Sequence, residues 1–313
     1  MKRISIVVPC YNEEQNVIPM SEALVRELTG DALGKYDYEI LFIDNCSRDG
    51  TREKIRQICA KNKRIRAIFN AKNFGQFNSP YHALCQSTGD CTICICCDFQ
   101  DPVELIPRLI EEWERGYKIV CATKTSSKEN RLMYFVRSVY YKLIKRLSRA
   151  EQIEHFTGFG LYDKDFVDVL RSLGDPTPFL RGIVAELGYK IKTVEYEQAE
   201  RRAGKSTNNF ATLYDAAMLS FTSYTKLAPR LATLVGAIFC TLGALGAIIL
   251  AALFFTGALD VSETALLIAA IAFFCGAQLF FLGFVGEYLL SINARVMNRP
   301  LVLEAERINF EDK

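Results

Sequence analysis

The chemistry-bearing residues of this chain begin with Asp98, Gln100 and Asp101, in the run Asp98-Phe99-Gln100-Asp101-Pro102 directly after an apolar stretch. Hard oxygen donors in that setting suit Mg2+ or Mn2+ held jointly with diphosphate oxygens, a cation that would neutralise a departing nucleoside diphosphate. Helix capping is the competing use, because Pro102 suits a first helical turn and acids ahead of it favour a helix N-terminus. Asp101 fits the cap, whereas Asp98 fits either role. Asp44 closes another apolar run and could accept a hydrogen bond from a base edge, while Ser47, Asp49 and Thr51 read as turn and cap residues. In Arg201-Arg202-Ala203-Gly204-Lys205-Ser206, cations flank a flexible glycine: a phosphate clasp or a polar hinge. His82 and His155 are the only histidines, and neither lies in a nucleophile pattern. An acceptor that is itself a phosphate needs no general base, its oxygen being ionised at neutral pH.

These residues need a frame. Short β-branched runs at Ser5–Val8, Glu39–Ile43, Ile65–Phe69, Cys91–Cys97 and Lys118–Cys121 alternate with stretches long enough for helices. Alternation of that kind predicts a mostly parallel α/β sheet whose ligands gather at the carboxyl ends of the strands. Those ends are polar here: Pro9-Cys10-Tyr11-Asn12-Glu13-Glu14, Asp44 to Thr51, and Asp98 to Pro102. No GxGxxG or Walker loop is present, which argues against dinucleotide and P-loop enzymes. Cys91, Cys94 and Cys97 have overlapping CxxC spacing, but on a strand successive members face opposite sides and no second ligand pair follows, so they read as core. The eleven cysteines are expected as thiols in a cytosolic domain.

The second half of the chain predicts a membrane. Residues 231–259 and 264–286 carry no charge over 29 and 23 positions, where roughly 20 suffice to cross the hydrocarbon. Asp260 and Glu263 alone charge the connection, whereas Lys226, Arg230, Arg295 and Arg299 flank the outer ends, which places both termini in the cytoplasm. The N-terminal apolar run stops at Cys10, too short for a signal peptide. Between Lys124 and Arg149, eight basic residues face one acid over a Leu132, Phe135, Val136, Val139, Leu143, Leu147 stripe: a basic amphipathic helix suited to an anionic membrane surface. A second amphipathic stretch from Phe210 to Tyr224 leads into the first span. The expected organisation is a catalytic domain over 1–205, an interfacial helix over 206–229, spans at 230–259 and 264–286, and a cytoplasmic tail over 287–313.

Taken together, Ile6–Asn16, Ile43–Thr51, Asn73–Gly75, Asp98–Glu104, Arg201–Ser206 and Gly286-Glu287-Tyr288 through Asn298-Arg299-Pro300 resemble one family. The chain resembles the bacterial polyprenyl-phosphate glycosyltransferases, bactoprenol glucosyltransferase-like relatives of dolichol-phosphate mannosyltransferase in the inverting GT-A class called family 2. The resemblance covers nearly the whole chain. It implies an α/β GT-A nucleotide-sugar-binding domain followed by two transmembrane helices, in an integral protein of a prokaryotic plasma membrane with its catalytic domain cytoplasmic. It implies inverting transfer from a UDP-sugar to an undecaprenyl or dolichyl phosphate, with Asp98 and Arg201 as catalytic residues. Pro9, Tyr11, Glu13 and Asp44 would hold the nucleotide, Asp98 and Gln100 a Mg2+ or Mn2+, and Arg131, Arg137, Ser138 and Arg201 the acceptor phosphate. Cys96 departs from the family's Asp-x-Asp, Thr207 from its frequent Lys, and Gly160 from an Arg-Leu pair.

Two rival readings accompany this one. A processive polysaccharide synthase of the same class carries QxxRW and more spans, but the single tryptophan, Trp113, lies in a predicted helix outside any such motif. A non-catalytic, nucleotide-binding membrane partner is suggested by Cys96, and metal-dependent turnover separates it from an enzyme. Nucleic acid is not an expected partner. Small residues at Gly243 and Ala247 are compatible with homo-oligomeric helix packing.

Overall fold

In the computed structural model, residues 1–125, 153, 155–199, 202, 218, 263–297 and 299–310 are described. The predicted basic helix with Arg131, Arg137 and Ser138, the site residue Arg201, the interfacial helix apart from Met218, and the first span all lie outside these residues.

Eight strands form one sheet in the order β7-β5-β6-β4-β1-β2-β3-β8. They are β1 (Arg3–Cys10), β2 (Asp37–Asp44), β3 (Ile65–Asn70), β4 (Cys91–Cys94), β5 (Ile119–Lys124), β6 (Phe156–Asp163), β7 (Ile191–Tyr196) and β8 (Glu304–Ile308). β1 pairs in parallel with β2 and β4, β2 with β3, and β5 with β7. β6 and β8 run against their neighbours. The parallel α/β expectation therefore holds, and the carboxyl ends of six strands open on one edge.

Helices cover both faces. On one lie α1 (Val17–Thr29), α2 (Thr51–Lys61) and α4 (Ile106–Glu114); on the other α3 (Gly75–Gln86), α5 (Lys164–Leu173) and α6 (Leu180–Glu186). Met20, Leu24 and Leu28 of α1 recur at helical spacing and pack on Ile4, Ile6 and Val8 of β1, while Val7, pointing the other way, packs with Leu84 of α3 and Phe166 of α5. The cysteines follow the same rule: Cys91 and Cys97 lie in the first core and Cys94 in the second. α5 is capped by Asp163, which accepts from the Asp165 amide at 3.0 Å, and stops at left-handed Gly174.

Several boundaries differ from the sequence-based expectation. β4 ends at Cys94, although the Ile95 amide still donates to Val7 O at 3.0 Å. β5 begins after Lys118, whose ammonium is drawn to Asp163 and Asp165. Residues 287–313, expected as a tail, contain β8, which closes the sheet on β3. There Arg56 meets Glu306 at 2.7 Å, Glu304 meets His82 at 2.5 Å, and Asn309 Nδ2 donates to Cys59 O and Ile65 O. At Gly160 a Cβ would stand 2.5 Å from Val120 O, so the close approach of β5 and β6 requires glycine there.

The last helix, α7 (Glu263–Val296), runs for 34 residues, about 51 Å at 1.5 Å per residue. Taken over the described residues, no helix registers as long and apolar enough to cross a membrane. Many α7 side chains lie outside the description, yet its backbone is continuous and its sequence carries no charge between Glu263 and Glu287. Leu267, Ile271, Phe274, Leu282, Val285 and Leu289 are exposed along it.

Candidate active site

The strand register places Cys10, at the end of β1, beside Asp44, at the end of β2, and Val7 beside Cys94. The loops leaving these three strands therefore meet at one edge of the sheet. Pro9 lies within β1 opposite Ile43, and Tyr11 follows the strand directly.

The first two loops are laced together. The amides of Asn12, Glu13 and Glu14 donate to Ser47 Oγ (2.8 Å), Thr51 Oγ1 (2.9 Å) and Asp49 Oδ2 (3.3 Å), and Gly50 N donates to Glu14 Oε2 at 3.1 Å. Ser47, Asp49 and Thr51, read as local turn and cap residues, thus also fix the opposite loop. Glu13 turns inward and accepts from Asn16 Nδ2 at 2.6 Å. Asn12 is held at φ 55°, a left-handed conformation that asparagine tolerates, and its Oδ1 accepts from the Arg48 amide.

Asp44 is fully buried. Both of its oxygens accept from the Ser47 amide at 3.2 Å, and Oδ2 takes Arg52 Nε at 2.6 Å. Arg52 Nη2 donates in turn to Asn70 O at 2.6 Å. Asn45 ties this corner to the loop after β3, with its Nδ2 donating to Asn73 Oδ1 and Gly75 O and its Oδ1 accepting from Asn70 Nδ2 and the Phe74 amide. Arg52, Asn45 and Asn70 were not singled out in the sequence. A cation opening the helix that follows Asp44 was the available signal for Arg52.

The second acidic group follows β4. Asp98 is 5 % exposed, and its Oδ1 accepts from the Gln100 amide at 3.1 Å, which brings the two expected metal-site residues together through the backbone. The Asp98 carbonyl accepts from the Arg202 amide at 3.3 Å, so Arg202 reaches this cleft, with its guanidinium 5.2 Å from the Phe99 ring centre.

Asp101 corrects the capping expectation. No side chain caps the short 3-10 turn Val103–Leu105, and the Asp101 carboxylate instead accepts from Tyr196 Oη of β7 at 2.6 Å. Burial raises its pKa above the usual carboxylate value, Tyr196 and Lys124 pull it down, and the neighbouring Asp98 pushes it up again. Lys124, half-buried at the end of β5, is lowered by burial and by Arg181 against the attraction of Asp101. Enclosure and the carboxylates of Asp101 and Asp98 raise the Cys96 thiol; because Cys96 is exposed to the cleft, we assign that shift to the carboxylates.

The arrangement is a two-part cleft: an Asp44–Arg52 corner beside the β1 loop, and an Asp98–Asp101 pair flanked by Lys124 and Arg202. Residues 5–170 match the family described as glycosyl transferase family 2. The chain belongs to that family. With membership comes the activity class, glycosyl transfer, and the α/β GT-A fold. Relatives extend the family 2 likeness over nearly the full length. The bactoprenol glucosyl transferase of Shigella phage SfII is 33% identical, covering 95% of this chain and 96% of that protein. A prophage bactoprenol glucosyl transferase homolog of Escherichia coli (strain K12) is 32% identical, covering 95% and 97%. An uncharacterized glycosyltransferase of Synechocystis sp. is 32% identical, covering 98% and 96%. Among solved structures, glucosyl-3-phosphoglycerate synthase from Mycobacterium tuberculosis is 19% identical with a TM-score of 0.50, over 71% of this chain and 79% of that one, a likeness of fold.

Proposed function

We propose that the chain transfers a sugar, with inversion, from a UDP-sugar to a polyprenyl phosphate at the cytoplasmic face of a prokaryotic plasma membrane. The observation that carries this reading is the joining of catalytic sheet and apolar helix. β8 begins a few residues after the 34-residue α7, and the preceding Leu303 carbonyl accepts from the Ala71 amide at 2.9 Å, one residue past β3. A cleft tied so closely to a span would work at the membrane surface, where a lipid phosphate arrives. The bactoprenol glucosyl transferases among its relatives support the same acceptor class.

The site suits a divalent cation. Asp98 and Asp101 are close enough for the charge of one to raise the other, and hard oxygens under mutual repulsion favour Mg2+ or Mn2+. Asp98 would hold it with Gln100, the remaining positions going to diphosphate oxygens and water. Once bound, the cation would offset the charge growing on departing UDP. The protein's own part is positional: the β1 loop with Pro9, Tyr11 and Glu13 and the Asp44 corner seat the nucleotide, and Tyr196 holds Asp101 in place. Arg131, Arg137, Ser138 and Arg201 would receive the acceptor phosphate, which needs no base. The spans at 230–259 and 264–286 belong to this proposal. Purified full-length protein incubated with undecaprenyl phosphate and a panel of nucleotide-sugars should form a glycolipid from a UDP-sugar. Nucleotide binding without any glycolipid would favour a non-catalytic partner.

A further inference from the structure

We infer that the C-terminal segment carrying β8 is a positioning element for the donor nucleotide, acting through Ala71 on the loop that lies beside Asp44. This rests on the nucleotide-sugar reading above and extends that site to residues that follow the apolar helix α7.

The loop after β3, residues 71–74, is exposed for most of its length and is held from two sides. On the nucleotide side, Asn45 Nδ2 donates to Asn73 Oδ1, Asn45 Oδ1 accepts from the Phe74 amide, and the Cys46 thiol donates to Ala71 O at 3.7 Å. On the other side, the Ala71 amide donates to Leu303 O at 2.9 Å. Ala71 thus stands between the loop that leaves Asp44 and the segment that leaves α7. Cys46 is held at φ 65°, a left-handed conformation that is costly for a residue with a Cβ. Such strain persists where the surroundings over-determine the backbone, and Ala71 is part of those surroundings.

The C-terminal segment is built to hold its side firmly. The β3–β8 register shifts at Phe69/Asn70, so that Phe69 faces Glu306 while Asn70 faces Glu304, which brings Leu303 level with Ala71. Both faces of the sheet supply anchors: Glu306 takes Arg56 of α2 at 2.7 Å, and Glu304 takes His82 of α3 at 2.5 Å. Ile308 packs on the first core, Leu301 and Phe310 on the second. Among the described residues, neither Glu304 nor Glu306 hydrogen-bonds Asp44, Asn45 or Cys46, so a change at β8 reaches the nucleotide corner through the loop. Coupling of this kind is reciprocal: if β8 favours the nucleotide-binding form of the loop, bound nucleotide must favour docked β8. A strand that served stability alone would lower the melting temperature and leave donor affinity as it was.

The test measures UDP affinity with Mn2+ by calorimetry on the full chain in detergent. It compares the wild type, the double variant Glu304→Gln/Glu306→Gln, and Trp113→Phe, which loses the bond to Asp163 and leaves β8 and the loop alone. The double variant should bind UDP fivefold or more weakly, the lower end of typical coupling between sites, with KM for undecaprenyl phosphate within twofold of the wild type. Trp113→Phe should bind UDP within twofold of the wild type. Hydrogen exchange reads the reverse direction: saturating UDP should slow exchange at residues 71–74 and 302–308 by threefold or more, and by less in α4, which packs at the β5 and β6 end of the sheet. Unchanged UDP affinity in the double variant overturns the inference, as does bound UDP that leaves exchange at β8 unchanged. Equal weakening in Trp113→Phe overturns it too, since donor affinity would then follow general stability. If the double variant fails to fold, Ala71→Pro, which removes the amide donor to Leu303, carries the affinity comparison and the exchange measurement on the wild type stands. A wild type that binds no UDP overturns the nucleotide-site reading itself, an outcome distinct from a wild type that binds UDP without protecting β8.

Discussion

Replacing Tyr196 with Phe isolates one buried hydrogen bond whose worth should depend on pH. Tyr196 Oη donates to Asp101 Oδ1 at 2.6 Å with both residues buried, and the Tyr196 ring packs edge-on against Phe159 at 5.5 Å, a contact that phenylalanine keeps. A hydrogen bond to a charged group contributes about 1.5 to 3 kcal/mol, and its loss here leaves a buried carboxylate short of a donor. At about 2 to 4 °C per kcal/mol for a domain of this size, the melting temperature should fall by about 3 to 12 °C near neutral pH. Burial raises Asp101 above its ordinary value of 3.8, so the charged form is the one the fold disfavours. Its contribution is most favourable below pH 3.8 and is lost as pH rises through the higher folded value. Tyr196 limits that loss by stabilising the carboxylate, so removing it raises the folded pKa further and deepens the penalty. The gap between wild type and variant should therefore be small near pH 3.5 and widen toward pH 7. Trp113, the only tryptophan and a buried donor to Asp163, reports unfolding of this domain by fluorescence. A gap constant across that range, or no gap at neutral pH, would refute the reasoning.

Asp98→Asn should reduce glycolipid formation by more than a hundredfold while the melting curve stays near that of the wild type, and EDTA should mimic it; full activity in chelator would sink the metal assignment. Burial alone would raise Glu304, but hydrogen bonds from His82 and Arg307 hold it down to about 2. A carboxylate lowered from 4.5 to about 2 adds roughly 3 kcal/mol of stability, present above pH 4.5 and lost as pH falls through 2. Glu304→Gln should therefore destabilise strongly at pH 7 and little near pH 2, as read by urea midpoints. Arg137→Ala and Arg201→Ala should weaken lipid-phosphate use by about 1 to 3 kcal/mol each with UDP affinity nearly unchanged, and loss of UDP binding instead would move these cations to the diphosphate. A cysteine at Asp260 should react with an impermeant reagent from outside intact cells; labelling at Lys313 would reverse the topology.

The frame was legible where side-chain period carried the signal. Alternation along Ile4, Ile6 and Val8 against Val7 marks a strand buried on both faces, and the same period separates Cys94 from Cys91 and Cys97. β6, β7 and β8 were missed. β6 holds glycines at 158 and 160, the second required by a close backbone approach, and β7 and β8 have mixed polar faces, so none shows a clean apolar run. Within the site, residue type revealed Asp44, Asp98 and Gln100 as candidates, but not their partners. Asp101 was read as a cap because sequence shows the proline next to it and not the tyrosine that β7 brings from 95 positions away. Arg52 was passed over for a related reason, since a cation in the first turn of a helix looks solvated until the fold sets Asp44 and Asn70 O around it.

β8 bears on topology in a way that charge counting alone does not. Strands β1 to β7, which lie between Arg3 and Tyr196, and β8 (Glu304–Ile308) share one hydrogen-bonded sheet, so all of them must lie on the same side of any membrane the chain crosses. Between Tyr196 and Glu304 the number of crossings is then even, whatever the lysines and arginines near the spans suggest. α7, apolar from Thr264 to Gly286, would account for one crossing and the uncharged 231–259 run for the other. A chain with only one of them inserted would have to strip β8 from β3 and break the Arg56–Glu306 and His82–Glu304 pairs. The sheet edge thus requires that any crossings in this stretch come in pairs, in keeping with the proposed two spans, and the Ala71 amide, donating to Leu303 O at 2.9 Å, ties the segment after α7 to the loop after β3.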